Sequence, residues 1–335
     1  MKKIAAAILC GAACLLGALA AGQPALAAWP DHPVRMIASS APGGGTDIWG
    51  RKLCSLLGGE LGQKITVNNM VGAGGGTGTA YAWNAPHDGY TWCSANDSSP
   101  AIPVMTGMKE TAKNWEFFIA GGSPGVLCVN SASGISSLQQ FLTAAREKPK
   151  SIKLAVCAGS VWFSQAAILL SKCDVPVTIV PIAGTQPALV ACASGEATAV
   201  IASLGEVASF VEAGKLSPIA MMGEKAAELG KVSIPAITSL VPAYAPYSVL
   251  KQWQGIQIPA DSPAEAKEAI ARAFAKIMAG EDMEKFRTTQ HGELMNLTGE
   301  EARKYAEEVE SLTSWLLWEL KLAKHDPASL GIARP

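Results

Sequence analysis

Several loops of the chain combine glycine with small hydroxyl and amide residues and carry almost no charge. When such a loop precedes a helix, the first N–H groups of the helix lack internal partners and lie at the positive end of its dipole, so they bind anions without a basic side chain. An alternative role for the glycines of any one loop is simply to make a tight turn. The loops are residues 39–46 and those at Asn96, Ser160, Thr185 and Ser203, with Asp97 as their single acid and no Lys or Arg.

One serine lies in a pattern that is typical of a nucleophile. Gly121, Ser123 and Gly125 match G-x-S-x-G, in which a serine between a strand and a helix attacks an ester or amide. Here strand-like residues flank the segment on both sides, and Pro124 directly follows the serine. An exported hydrolase that uses Ser123 is therefore the weaker alternative function, and it requires a histidine within reach of the serine.

Other signatures of catalysis and cofactor binding are incomplete. Gly72 and Gly74 begin a dinucleotide fingerprint, but Thr77 stands where its third glycine belongs. The four histidines are scattered and form no pair with metal-ligand spacing. With 27 Lys+Arg against 28 Asp+Glu, the chain has no basic excess to neutralise nucleic-acid phosphates. We expect no catalytic residue, no cofactor, no metal and no nucleic-acid partner.

The elements that must position the loops form a repeating unit of a short β-rich run, a loop and an amphipathic helix. In the first unit, residues 34–38 precede the loop 39–46 and a helix in which Trp49, Leu53 and Leu57 share one face. Alternating strands and helices predict parallel sheets whose strand-to-helix loops meet at one edge, where ligands bind. The fold class is therefore α/β, and the length of 335 residues predicts two domains.

Residues 1–27 have the features of a bacterial secretory signal. A cationic start, Met1-Lys2-Lys3, precedes an apolar stretch at residues 4–19 and a small-x-small cleavage site, Ala25-Leu26-Ala27. An uncleaved membrane anchor is less favoured because the apolar stretch is short and contains two glycines. We expect cleavage near Ala27 and a soluble periplasmic chain, since no later apolar stretch reaches roughly 18 residues.

Six cysteines follow the predicted cleavage site, and the sequence leaves their state open. An oxidising compartment permits disulfides, but no pair has C-x-x-C spacing. Most of them lie in apolar runs, where buried thiols act as small hydrophobic groups. The six are Cys54, Cys93, Cys128, Cys157, Cys173 and Cys192.

Four spaced motifs carry a family resemblance. Trp29-Pro30-Asp31-His32-Pro33-Val34-Arg35, followed by residues 41–47, is succeeded in register by the motifs at residues 71–78, 85–91 and 182–189. Together they resemble the tripartite tricarboxylate transporter solute receptors, the Bug family, over nearly the whole mature chain.

The resemblance implies a two-lobed Venus-flytrap fold of the type II-like periplasmic binding proteins, each lobe a mostly parallel sheet flanked by helices. It divides the chain into lobe I, residues 28–125 and 250–335, and lobe II, residues 126–249. It implies a monomeric receptor without catalytic activity that holds a small organic carboxylate and delivers it to a two-subunit membrane permease. A sensory module for a membrane kinase is an alternative that uses the same site.

In that family two glycine-rich loops face each other and bind a carboxylate through backbone N–H groups and bridging waters. Two departures stand out: Ser39-Ser40 replace a proline and an aromatic, and Ile201-Ala202 replace a Phe-Asp pair, which weakens the case for an amino-group-bearing ligand. Trp162 either stacks on the ligand or anchors its helix. The ligand-binding residues implied here are Ser39, Ser40, Ala41, Pro42, Gly43, Gly44, Gly45, Thr46, Asp47, Asn96, Ser98, Ser160, Trp162, Ala183, Gly184, Thr185 and Ser203.

Overall fold

The computed structural model describes residues 29–335, so the predicted secretory signal lies outside the described residues. The strands are β1 (Val34–Ala38), β2 (Ile65–Asn69), β3 (Thr91–Asn96), β4 (Trp115–Gly122), β5 (Gly125–Asn130), β6 (Lys153–Cys157), β7 (Thr178–Ile182), β8 (Ala199–Ser203), β9 (Leu216–Met221), β10 (Ala227–Leu229), β11 (Val232–Ile234), β12 (Gln254–Pro259) and β13 (Glu293–Thr298). The α-helices are α1 (Gly45–Leu61), α2 (Gly76–Trp83), α3 (Ile102–Thr106), α4 (Leu138–Glu147), α5 (Val161–Cys173), α6 (Thr185–Ala193), α7 (Leu204–Glu212), α8 (Ile237–Leu240), α9 (Ala264–Met278), α10 (Glu281–Thr289) and α11 (Gly299–Glu319).

Six strands form the first sheet, in the order β13-β4-β12-β3-β1-β2. Successive residues of a strand point to opposite faces, so each strand supplies two separate cores. On one face Phe118 packs with Trp49 of α1 and Phe274 of α9. On the other face Phe117 and Ile119 pack with helices α2 and α11. The predicted apolar stripe of the first helix is therefore buried against this sheet.

Five strands form the second sheet, in the order β7-β6-β8-β5-β9. Its two faces alternate in the same way. Leu127 of β5 belongs to a core with Phe141 of α4 and Leu169 of α5. Val126 belongs to the opposite core with Leu189 of α6 and Val207 of α7. The sheet thus lies between two layers of helices.

Both sheets are mixed, which corrects the expectation that each is mostly parallel. β1 pairs in parallel with β2 and β3, and β6 with β7 and β8. The remaining pairings within the two sheets, those of β12 and β13 in the first and of β5 in the second, are antiparallel. β5 and β12 begin where the chain passes between the sheets, and they run away from that point. The strands of the repeating unit run toward it. The α/β class itself is confirmed.

The chain passes from the first sheet to the second through Ser123 and Pro124, and it returns just before β12. The two passing segments touch so closely that side chains are excluded: a Cβ on Gly122 would lie 2.3 Å from the carbonyl oxygen of Gln252. Gly121 has a φ of +148°, and a Cβ there would lie 2.0 Å from the carbonyl oxygen of Glu293. Gly121 and Gly122 are therefore explained by close backbone packing, whereas Gly125 leaves room for the side chains of Trp162 and Gln165.

Ser123 is a structural residue of the same crossing. Its N–H donates to Oε1 of Gln252 at 3.0 Å, and its hydroxyl accepts from the N–H of Gly205 at 3.0 Å. The hydroxyl also lies 3.4 Å from the backbone carbonyl of His291, to which it donates. With 3% of its surface exposed, Ser123 ties the crossing to α7. The hydrogen bond between serine and an imidazole that the hydrolase alternative requires is not among the contacts of the described residues.

Helix α11 belongs to both halves of the molecule. Ala302 and Ala306 lie in a core of the first sheet, whereas Val309 lies in a core of the second. Tyr305 is in contact with both cores and donates to the carbonyl oxygen of Val249 at 3.4 Å. The two sheets are thus linked by a packed helix as well as by the two crossings.

The six predicted mature cysteines are all thiols in the structure. Cys54, Cys93, Cys128 and Cys192 are buried, and the other two are partly buried. Burial raises the pKa of Cys54 and Cys93 to about 12, so these thiols are neutral at physiological pH. The structure agrees with the interpretation that the cysteines act as small hydrophobic residues.

The crossing yields a stability prediction. Gly122→Ala places a methyl group 2.3 Å from a backbone oxygen that cannot rotate away, so the free energy of unfolding should fall by about 1–3 kcal/mol. Gly59→Ala is the matched control, because Gly59 is exposed on α1 and a Cβ there would meet no atom within 4 Å, and alanine should stabilise the helix by about 0.5–1 kcal/mol. Urea unfolding of both variants measures the effect, and an unchanged midpoint for Gly122→Ala would show that the crossing is not tightly packed.

Candidate functional site

A cavity of about 410 Å³ lies between the two sheets, where the loops after β1, β2 and β3 face the loops after β6 and β7. We call it the cleft. Its lining includes these predicted residues: Ser39, Ser40, Ala41, Gly44, Gly45, Thr46, Asn96, Ser98, Ser160, Trp162, Ala183, Gly184 and Thr185. Its other lining residues are Val71, Gly72, Gly74, Gly75, Asp97, Cys157, Ala158, Gly159, Glu206, Gln252 and Gln254. The structure therefore brings most of the predicted loops together in one place.

Three helices begin at the cleft without a cap from their own side chains. Helices α1 and α6 begin after Gly44 and Gly184, which have no side chain to offer. Helix α5 begins after Ser160, whose hydroxyl donates instead to the carbonyl of Cys157 at 2.7 Å. The free N–H groups of a helix start and the positive end of its dipole attract an anion. The cleft therefore has three such anion-attracting ends.

Asp47 lies outside the lining, and its side chain holds the loop 39–46 in position. The residue is 4% exposed, and its carboxylate accepts from the N–H of Gly43 at 2.9 Å, from Nδ2 of Asn69 at 2.8 Å and from Nε of Arg51 at 3.0 Å. Burial acts to raise the pKa of Asp47, but the hydrogen bonds from Arg51, Gly43 and Asn69 outweigh it and lower the pKa. The ionised carboxylate of Asp47 therefore stabilises the loop, and Arg51 neutralises its charge.

Three other predicted residues also lie outside the lining. Pro42 and Gly43 form the outer turn of the first loop, and Gly43 takes a φ of +78°, which favours glycine. Ser203 caps α7: its hydroxyl accepts from the N–H of Glu206 at 3.3 Å and donates to the Glu206 carboxylate at 2.6 Å. This reciprocal capping box uses the Ser203 side chain within its own helix.

The floor of the cleft on the first-sheet side is a small network of hydroxyl and amide groups. Ser39 donates its N–H to the hydroxyl of Ser94 at 2.9 Å, and the two hydroxyls lie 2.8 Å apart. Nδ2 of Asn96 donates to the Ser39 hydroxyl at 3.4 Å, while Oδ1 of Asn96 accepts from the N–H of Ser98 at 2.8 Å. Asn96 therefore connects the loop after β3, through Oδ1, with the loop after β1, through Nδ2.

Trp162 packs into the core of the second sheet. It is 2% exposed, and a Cβ on Gly125 would lie 2.7 Å from its ring. Of the two roles left open by the sequence, this position favours anchoring of α5 at the crossing, with only a small part of the ring at the cleft.

Two acids in the lining were not selected from the sequence. Asp97 follows β3 and reaches across the cleft, where its Oδ2 accepts from the N–H of Val161 at 3.3 Å, at the start of α5. Glu206 lies in the first turn of α7. Asp97 carried a local signal as the one acid of the neutral loops, whereas Glu206 has the sequence pattern of an ordinary capping residue.

Burial is the largest influence on the pKa of both carboxyl groups. The pKa of Asp97 is raised to about 7, chiefly by burial and to a smaller extent by the nearby Glu206 carboxylate, while the hydrogen bond from the N–H of Val161 opposes the rise. Burial also raises the pKa of Glu206, against the hydrogen bonds from Ser203 that lower it. Among the lining residues of the described chain there is no Lys, Arg or His to pair with either acid.

A second cavity of about 220 Å³ adjoins the cleft. It shares Asp97, Gly159 and Ser160 with the cleft, and its far wall is apolar, with Met105, Phe163, Leu317 and Leu322 among its residues. An apolar part of a ligand bound in the cleft would find contact surface in this chamber.

Within residues 29–335, no three His, Cys, Asp or Glu side chains converge as metal ligands would. The same part of the chain has no helix whose length and hydrophobicity would let it span a membrane.

Comparison with protein families gives one match that covers most of the chain. The family described as "Tripartite tricarboxylate transporter family receptor" matches residues 50–319. Protein BugT of Bordetella pertussis is 26% identical over 237 residues, which are 69% of this chain and 72% of that protein. A UPF0065 protein of a Pseudomonas species is 23% identical over 282 residues, or 82% of each chain.

Solved structures show the same fold. A protein described as a periplasmic transporter has a TM-score of 0.78 at 22% identity and covers 89% of this chain and 100% of its own. R. palustris Rpa4515, solved with adipate, has a TM-score of 0.75 at 23% identity, with 92% and 100% covered. MatC of Rhodopseudomonas palustris, solved with malate, has a TM-score of 0.74 at 19% identity, with 86% and 100% covered. The predicted two-lobed fold of periplasmic binding proteins is confirmed.

The raised pKa values of the buried acids allow a prediction of how the free energy of unfolding depends on pH. The folded state keeps a proton on Asp97 up to a pKa of about 7, whereas the unfolded chain releases it near pH 4. The folded state thus binds more protons between these values, so the free energy of unfolding should fall as pH rises from about 4 to about 7.

Asp97→Asn should remove part of this pH dependence of the free energy of unfolding. At about 1.4 kcal/mol per pKa unit, that part is worth a few kcal/mol at most. Urea unfolding at pH 5 and pH 8 measures it. Glu310 is also buried, and its carboxylate accepts from the N–H of Ala112. Burial raises the pKa of Glu310 to about 7, so Glu310→Gln should remove a separate part of the pH dependence of the free energy of unfolding. If the free energy of unfolding changes with pH equally in Asp97→Asn and in the unmodified protein, Asp97 is ionised throughout this range.

Proposed function

The chain belongs to the tripartite tricarboxylate transporter receptor family, and from that premise we propose that it captures a small organic carboxylate in the cleft. It carries the ligand unchanged to a two-subunit permease of the same transport system. We propose that it acts in the periplasm as a monomer, and the predicted secretory signal, residues 1–27, supports this location. The partner permease distinguishes this role from that of a sensory module.

The observation that carries the proposal is the meeting of two uncapped helix starts, those of α1 and α6, in a cavity whose lining in the described chain has no basic side chain. The α1 and α6 ends line the same cavity, one from each sheet, and we propose that one carboxylate contacts both. Each helix end contributes about 0.3–1 kcal/mol when exposed and up to ~2 kcal/mol when partly buried. Micromolar affinity requires about 8 kcal/mol. Direct hydrogen bonds and the exclusion of water supply the remainder.

Water is excluded when the two lobes close. We propose that lobe I is residues 28–125 and 250–335, that lobe II is residues 126–249, and that they hinge at the two crossings. Gly122 supports this proposal, because its backbone touches that of Gln252 in the other crossing with no side chain between them. Helix α11, which packs against both sheets, limits the movement.

The ligand class rests on family membership and on the chemistry of the cleft. Two relatives of the same fold were solved with adipate and with malate. Both are carboxylates of a size that suits a cavity of about 410 Å³. The proposed ligand-binding residues are the predicted ones that line the cleft, together with Gln252 and Gln254.

The proposal is tested with a panel of organic acids and a glycine substitution at the start of α1. A ligand that binds only the folded state raises its melting temperature, so at least one acid should do so in the purified mature protein. A Cβ on Gly45 would lie 3.2 Å from Nε2 of Gln252 and 3.8 Å from Nε2 of Gln254, so Gly45→Leu fills the cleft. Binding measured by calorimetry should weaken at least tenfold.

Gly59→Leu, on the exposed side of the same helix, is the matched control and should bind as the unmodified protein does. Two results count against the proposal: no acid of the panel raises the melting temperature, or Gly45→Leu binds with unchanged affinity.

A further inference from the structure

One hydrogen bond joins the two sides of the cleft directly. Oδ2 of Asp97, in the loop after β3 of the first sheet, accepts from the N–H of Val161 at 3.3 Å, and Val161 begins α5, which packs on the second sheet. Elsewhere in the described chain, the hydrogen bonds between the two sides involve residues of the crossings or the exposed ion pair of Lys225 and Glu293. The contact between Asp97 and Val161 therefore depends on the two sides of the cleft being close together.

The start of α5 has no acceptor of its own for this N–H group. The N–H groups of the first helical turn lack carbonyl partners within the helix. Ser160, which precedes the helix, donates its hydroxyl to the carbonyl of Cys157 at 2.7 Å and does not cap the helix. When the two sides separate, water must replace Asp97 as the acceptor. An intramolecular hydrogen bond that replaces one to water shifts an equilibrium by about three- to tenfold.

Two glycines bring the loops on either side of the cleft into contact beside Asp97. Gly74 follows β2 and Gly159 follows β6, and both line the cleft. A Cβ on Gly159 would lie 4.0 Å from Cα of Gly74, which is van der Waals contact between the two sides. Their φ angles of +64° and +73° favour glycine. The structure therefore describes a closed arrangement at this edge of the cleft.

Charge attraction does not hold the two sides of the cleft together. The lining in the described chain has no Lys, Arg or His, and its acids, Asp97 and Glu206, lie on opposite sides. The titratable groups that face Asp97 are Glu206 on α7, Cys157 at the end of β6 and Tyr305 on α11. An ionised Asp97 would be repelled by an ionised Glu206 and would be poorly hydrated. The oxygen of Asp97 as an acceptor, rather than its charge, is therefore what favours the closed arrangement.

These contacts give Asp97 a role in the movement of the two lobes. We propose that Asp97 is a positioning residue that stabilises the closed cleft, because its carboxyl oxygen accepts from the start of α5 on the opposite lobe only when the lobes are closed. The start of α5 is thus occupied by the protein, and the starts of α1 and α6 are left to the ligand. The inference rests on the proposed function, because it concerns the closure of the same cleft.

Substitutions on both sides of the contact test this role. Asp97→Ala removes the acceptor, whereas Asp97→Asn keeps a side-chain oxygen and removes only the charge. Val161→Pro removes the donor, and proline is well tolerated at the first position of a helix. Asp97→Ala and Val161→Pro should each lower the ratio of closed to open protein by about three- to tenfold, and Asp97→Asn should not. The double variant should lower it no further than either single one, because both remove the same contact.

Two thiol reactions on the purified mature protein, without added ligand, measure this ratio. The closed form is measured by the rate of disulfide formation between Gly74→Cys and Gly159→Cys in a Cys157→Ala background. The open form is measured by the rate at which N-ethylmaleimide modifies the native Cys157, which lines the cleft. The pKa of the Cys157 thiol is raised mainly by burial and to a smaller extent by Asp97. Asp97→Ala is therefore compared with Asp97→Asn, which lacks the same charge.

Glu310→Ala is the control, because Glu310 is also a buried acid that accepts from a backbone N–H, that of Ala112 at 2.8 Å, in a contact that does not cross the cleft. It should lower the melting temperature and leave the ratio of closed to open protein unchanged. The inference is wrong if Asp97→Ala and Asp97→Asn give the same ratio, if Val161→Pro leaves the ratio unchanged, or if Glu310→Ala lowers it equally. Since no ligand is added, the inference stands or falls separately from the organic-acid panel that tests the proposed function.

Discussion

Backbone N–H groups at the start of a helix need a partner when they lie away from bulk water, and this constraint shapes the whole cleft. At α1 and α6 the preceding residue is glycine, so no side chain can serve as the partner. At α5 the partner comes from the other side of the cleft, because Asp97 accepts from the N–H of Val161. One helix start is thus satisfied by a carboxylate of the protein, and two are open to a carboxylate from outside. The Asp97 contact shows within the protein the type of interaction that we propose for the ligand.

The rest of the fold holds these helix starts in position. Asp47 braces the loop before α1 with three hydrogen bonds, and its charge is neutralised by Arg51 beneath the loop, away from the lining. The two sheets are joined where Gly122 and Gln252 touch through their backbones. We propose that the two lobes change their relative angle here, by rotation of a few backbone bonds. Closure over a small anion requires loops held in fixed positions on rigid lobes and a narrow connection between the lobes.

Local sequence signals predicted the parts of this arrangement that depend on neighbouring residues. Glycine-rich loops before amphipathic helices indicated the starts of α1 and α6, and the alternation of strands and helices indicated the α/β class. Contacts between distant segments were not predictable in the same way. Ser203 and Glu206 have the pattern of a capping box, which they do form, and nothing local shows that Glu206 also faces the cleft. Gln254 has the appearance of any residue at the start of a strand, and the antiparallel course of β12 depends on a crossing that only the folded chain reveals.

Backbone amide chemical shifts test the central claim most directly, since they report on the N–H groups themselves. The mature protein, labelled with ¹⁵N, is titrated with the organic acid that most raises its melting temperature. We predict that the amide protons of Gly45, Thr46 and Thr185 shift strongly downfield and saturate together, as expected for new hydrogen bonds to a carboxylate. Amides at these three positions that stay unmoved while the ligand saturates would show that the anion is held elsewhere, and the account would be wrong.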